Sequence, residues 1–130
     1  MIISDWYEQG DVFGVKYVMT QAGNGLKLHS HPTEEQHNCI CLSGRCALFG
    51  PTLTTTIINA GEVSDFDSTQ IHSIVALQPN TIILNLSLFG KPESLKDVTD
   101  THYEIDYYPE LPPELQEVIN NKSEHAQVNR

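Results

Sequence analysis

The sequence predicts an all-β chain folded as a sandwich or barrel, and three observations carry that prediction. Short runs rich in Val, Ile, Thr and aromatic residues recur between residues 13 and 89. Turn signals built on Gly, Pro and Asn separate them, and no helical run intervenes. The length, 130 residues, is that of one domain able to bury a core without disulfide staples.

Taken in order, Val15 to Met19 reads as a strand closed by the turn Gln21-Ala22-Gly23-Asn24-Gly25. Leu26 to His31 follows, then a Pro-Thr-Glu-Glu loop. His37 to Leu42 is a strand stopped at Ser43-Gly44, and Arg45 to Phe49 resumes until Gly50-Pro51. Leu53 to Ile58 is rich in β-branched residues and ends at Asn59-Ala60-Gly61. Val63 to Phe66, His72 to Leu77 and Thr81 to Phe89 complete the series, the last two parted by Gln78-Pro79-Asn80. The expected layout is one barrel domain over 1–110 with a polar surface extension from about 91, then a tail over 111–130. Tyr103, Tyr107 and Tyr108 are read as anchors of the extension. Pro112-Pro113-Glu114 carries the marks of a helix start, with room for one short helix.

Composition excludes several function classes. Seventeen acidic against seven basic residues give a formal charge of −10, which repels phosphate backbones and anionic lipids. Neither nucleic acid nor a membrane is an expected partner, and no stretch has the length of an apolar span. The first residues lack the basic and apolar regions of a signal peptide. Cys39, Cys41 and Cys46 are an odd set within eight residues, a poor disulfide framework, so a reducing cytoplasm is the expected location.

Six histidines are present, and four of them form a pattern: His29, His31, His37 and His72. On a strand, residues i and i+2 share a face, so His29 and His31 would present two imidazoles about 7 Å apart to one side. That pattern reads as a metal site on a β scaffold. Lys27 has the same parity. An inward lysine beside a cationic metal is costly unless it meets an anion, so Lys27 is a candidate substrate contact; the alternative is a residue of the barrel mouth that snorkels outward. Cys39 and Cys41 share parity with His37 and are read as packing rather than as thiolate ligands. Asn85 and Ser87 alternate with Leu84, Leu86 and Leu88, with solvent as the default side for the polar pair. His102 and His125 fall outside the pattern.

With these residues in place, the chain resembles the cupin superfamily, small β-barrels marked by two motifs. In the first, Gly is followed after five residues by His-x-His, after three or four by Glu and after six by Gly. Here Gly23 precedes His29-Ser30-His31 by five residues, and the closing glycine is Gly44. The second runs Gly, five residues, Pro-x-Gly, two residues, His, three residues, Asn. Gly61 and His72 match it, whereas Asp67, Thr69 and Ala76 replace the Pro, the second Gly and the Asn. The Glu position is ambiguous. Glu35 has the expected distance from His31, and His37 has the expected distance from Gly44. His37 is favoured, because the turn at Gly44 fixes hairpin register while the loop after His31 absorbs extra residues. Glu35 is the alternative.

The resemblance implies a double-stranded β-helix (jelly-roll) barrel, often a homodimer, with one divalent transition metal near its centre. The implied ligands are His29, His31, His37 and His72, with Glu35 as alternative to His37. Imidazoles suit Mn, Fe, Co, Ni, Cu or Zn without choosing among them. The implied function is a metal-dependent, dioxygenase-like enzyme acting on a small anionic or oxygen-rich metabolite. The alternatives are a non-redox isomerase or lyase and a non-catalytic small-molecule-binding module. No catalytic residue beyond the ligands is assigned.

Overall fold

The computed structural model describes residues 2–10, 12–30, 36–67, 70–88, 104–105 and 111–119. Ten strands form among them: β1 (Ile2–Gln9), β2 (Val12–Met19), β3 (Gly25–Leu26), β4 (Gln36–Ser43), β5 (Arg45–Gly50), β6 (Leu53–Asn59), β7 (Val63–Asp67), β8 (Ser73–Ala76), β9 (Thr81–Leu88) and β10 (Glu104–Ile105). A short helix, α1, spans residues 113–119. No helix among the described residues is long and apolar enough to cross a membrane.

The strands make two antiparallel five-stranded sheets, ordered β1-β2-β9-β4-β7 and β10-β3-β8-β5-β6. The crossed order is that of a double-stranded β-helix, as the alternating sequence predicts. Between the sheets lie Val15, Tyr17 and Met19 from β2, Cys39 and Cys41 from β4, Cys46 and Leu48 from β5, Ile74 and Ala76 from β8, and Ile83 from β9. Period-two patterning explains the selection: on β4, Cys39 and Cys41 are buried while Leu42 is exposed. The three cysteines are free and buried, as their parity predicts.

The motif glycines are turn-makers. Gly23, Gly44 and Gly61 have φ of 95°, 77° and 89°, a region that side chains with a Cβ rarely enter. At Gly44 the neighbourhood is also full: a Cβ there would stand 2.9 Å from the Thr81 Cα. The β4–β5 connection thus closes tightly against the start of β9 and carries the chain from one sheet to the other. It is not the hairpin that the sequence reading assumed at Gly44: the register of β4 comes from its pairing with β7 and β9 instead.

Three elements differ from their sequence reading. β1 pairs with β2 over all eight residues, inside its own barrel. It escapes periodicity because it is an edge strand with Ile3 and Tyr7 on an exposed face. The predicted strand 26–31 shrinks to Gly25–Leu26 plus an isolated bridge at His29. Part of the extension, Glu104–Ile105, adds to the edge of β3. The expected helix at Pro112 forms and covers the outer face of the second sheet. Leu115 and Ile119 are buried there against Ala47, Phe49, Val75 and Leu77. Burying each such side chain contributes roughly 1.5–3 kcal/mol.

Candidate metal centre

The site begins with a backbone bridge. His29 N–H donates to the His72 carbonyl at 3.0 Å, and His72 N–H donates to the His29 carbonyl at 2.9 Å. Two residues that exchange both bonds lie directly opposite, with side chains on one face. Their rings accordingly meet, with centroids 4.4 Å apart and planes inclined at 59°. The second motif's histidine is thereby brought beside the first motif's, 43 positions away in the chain (72 − 29).

Each ring is oriented by the same local device. His29 Nδ1 lies 2.6 Å from the Lys27 carbonyl, and His72 Nδ1 lies 2.7 Å from the Gln70 carbonyl. A carbonyl oxygen only accepts, so both Nδ1 atoms carry the proton. In the neutral imidazole the lone pair then resides on Nε2 in both rings. A carbonyl that fixes the tautomer and ring angle is the usual support of a metal-ligating histidine. The bond at Lys27 also explains why strand 26–31 breaks, since a carbonyl engaged by a nearby side chain competes with the ladder. Lys27 therefore serves the site through its backbone; its side chain is exposed.

His72 is buried and His29 partly so. Phe66, from β7 on the opposite sheet, lays its ring 4.7 Å from that of His72. His37 is the β4 residue directly opposite Phe66, and its other neighbour is Ser87 on β9. Strand pairing thus sets the His37 backbone beside that of Phe66, whose ring meets His72. His31 and Glu35 lie outside the described residues, as do His102, His125 and Tyr103, Tyr107 and Tyr108. Among the described residues no group of three metal-binding side chains occurs. Two nitrogen donors held in one tautomer, one of them buried, fit a divalent transition metal.

Sequence reading missed three features of this site. Phe66 was only a strand end, and the two orienting carbonyls carry no side-chain signal. Asn85 faces inward rather than to solvent. It pairs in register with Val15 and Cys39, both buried, and its Oδ1 is buried.

Comparison with solved structures matches this arrangement to a named architecture. An RmlC-like cupin protein from Desulfovibrio desulfuricans aligns with a TM-score of 0.59 at 19% identity, over 68% of this chain and 82% of that one. The chain has the cupin fold. KdgF from Halomonas sp. aligns with a TM-score of 0.61 at 15% identity, over 72% of this chain and 83% of its own. A cupin superfamily protein from Desulfitobacterium hafniense gives 0.55 at 14%, over 68% and 77%. No protein-family model and no curated protein matches the chain. In this cupin barrel the bridged histidines come from the two motifs that the sequence displays.

Proposed function

We propose that this cupin binds one divalent transition metal and uses it as a dioxygenase-like enzyme on a small anionic or oxygen-rich metabolite. The observation that supports it is the matched pair His29 and His72, bridged backbone to backbone, with the Nδ1 of each ring donating to a carbonyl two residues before it. His31 and His37, with Glu35 as the alternative to His37, complete the ligand set in this reading. A metal held by these residues would supply open positions for ligand oxygens and, if redox-active, oxygenase chemistry. The chain's own part is to hold two imidazoles rigid and to exclude water with Phe66. A set of neutral imidazoles leaves the metal's charge uncompensated, which favours an anionic ligand.

The test is elemental mass spectrometry on protein purified without chelators, beside His29→Ala/His72→Ala. Near-stoichiometric Fe, Ni, Cu or Mn, lost in the double variant and accompanied by substrate-dependent oxygen uptake, is the expected result. Zn with turnover and no oxygen uptake would move the reading to isomerase or lyase chemistry. Saturable binding without product would make the chain a binding module, and no metal after reconstitution would overturn the proposal. The three free, buried cysteines support a reducing compartment, the cytoplasm.

A homodimer is part of the same proposal. The outer face of the first sheet carries a groove of about 280 Å³ lined by Tyr7, Val12, Gly14, Leu42, Leu84 and Leu86. Tyr7 and Leu42 are more than half exposed. Five strands at about 4.8 Å and rows of about 20 Å give roughly 500 Å² per copy, the threshold for a specific interface. Asp5 and Lys16 lie opposite each other in register on this face. A two-fold axis would set Lys16 of each copy against Asp5 of the other, easing repulsion between two acidic chains. Light scattering should give a dimer that Tyr7→Glu/Leu42→Glu converts to a monomer; a wild-type monomer at 50 µM (about the ~10⁻⁵ M range of weak association) would refute it.

A further inference from the structure

Among the described residues, two buried side-chain polar atoms have no hydrogen-bond partner: Arg45 Nε and Asn85 Oδ1. Arg45 starts β5, whose other end, at Phe49, pairs with Ser73 next to His72; Arg45 is thus at the far end from the histidines. Asn85 is on the histidine side of the core. Its strand neighbour toward the site is Ser87, which pairs with His37, and its own partners across the sheet are Val15 and Cys39. Asn85 is therefore two residues, about 7 Å, deeper in the barrel than the His37 row.

The layer around it is apolar. Val15 and Cys39 are buried, and Ile83, on the same face of β9, is fully buried. A buried amide oxygen without a partner is costly and would be replaced by an apolar residue at no loss of packing, unless something else engages it. We propose that Asn85 is a ligand contact that selects a small organic anion carrying a hydroxyl at the end remote from its carboxylate. The carboxylate end would lie toward the histidines and the hydroxyl at Asn85. A hydroxyl both donates and accepts, so it satisfies either orientation of the amide. This assignment rests on the metal-site reading for the carboxylate end only.

The experiment titrates 4-hydroxybutyrate and butyrate into Zn²⁺-loaded and chelator-treated wild-type protein and Asn85→Leu by calorimetry, with metal content and Tm recorded on each preparation. Wild type should prefer the hydroxylated probe by about tenfold, the scale of one buried hydrogen bond. Asn85→Leu should erase that preference, keep the wild-type metal content and raise Tm by roughly 4 °C, because the unpaired acceptor is gone. A preference that survives in Asn85→Leu, a fall in its Tm, or a wild type that binds both probes equally or neither would overturn the assignment. Absence of metal from wild type would instead refute the metal reading. The Asn85 assignment is then decided by the preference and Tm in the chelator-treated arm.

Discussion

Gly50→Ala is the sharpest probe of how the fold holds His72. A Cβ built on Gly50 stands 2.1 Å from the Ile71 carbonyl oxygen, 3.2 Å from its carbon and 3.3 Å from the His72 Cα. To reach ordinary contact the 71–72 backbone must retreat by about 1 Å. It cannot do so and keep its bonds, since His72 is tied to His29 by two backbone hydrogen bonds of 2.9 and 3.0 Å. Overpacking of this kind costs about 1–3 kcal/mol, and losing the bridge adds about 1 kcal/mol per bond. The expected total is roughly 3–5 kcal/mol, a Tm fall on the order of 12–20 °C. Gly61→Ala is the internal control. Its φ of +89° strains any side chain, but no atom lies within 4 Å of the added Cβ. That change should cost about 1–2 kcal/mol and leave the histidine bridge intact. Calorimetric unfolding and metal content should therefore separate the two variants: Gly50→Ala loses stability and metal, Gly61→Ala only stability. Equal metal retention in both, or a Gly50→Ala Tm near wild type, would refute the idea that close approach at Gly50 positions His72.

Other expectations follow from the same packing. Leu115→Ala, beneath α1 on the outer face of the second sheet, should cost about 2–5 kcal/mol with metal content unchanged, as read by denaturant unfolding. Lys27→Ala and Gln70→Ala should leave metal affinity at the wild-type value in competition titrations, because their carbonyls and not their side chains orient the rings; Phe66→Ala should weaken it by about tenfold. Burial, with the neighbouring Cys46, pushes the Cys41 thiol from 9.0 up to about 11, and Cys46 is also raised, by its hydrogen bond with Cys39 and by burial. A thiol whose folded pKa lies above its unfolded value binds more protons when folded, so stability should fall as pH rises from about 9 to about 11. At pH 8 (about one unit below an ordinary thiol pKa) a thiol reagent should report all three cysteines only after denaturation, and rapid reaction in the folded state would contradict their burial.

The succession of strands along the chain and the core face of β4 were legible, because burial on one side of a sheet writes a period of two into residues such as Cys39 and Cys41; on β9 the same alternation was read the other way, with Asn85 to solvent, whereas Ile83 and Asn85 face inward. The motif glycines were legible for a related reason: a backbone at positive φ demands Gly at 23, 44 and 61 whatever surrounds it. β1 was not, since Ile3 and Tyr7 lie on its open face and blur the alternation.

By itself the sequence determined an all-β barrel with four histidines at spacings that suit a metal, since local propensity, turn chemistry and spacing are properties of neighbours along the chain. Only the tertiary structure decided what those residues meet. Gly50 reads as turn punctuation beside Pro51, yet its missing Cβ makes room for the Ile71 carbonyl. Lys27 reads as a charged side chain, yet it orients His29 through its carbonyl. Asn85 reads as a solvent-facing polar residue, and strand pairing with Val15 and Cys39 turns it inward. The Gly50 and Asn85 contacts join residues 20 or more positions apart, which alternation along one strand does not encode, and the Lys27 carbonyl, though only two residues from His29, carries no side-chain signal.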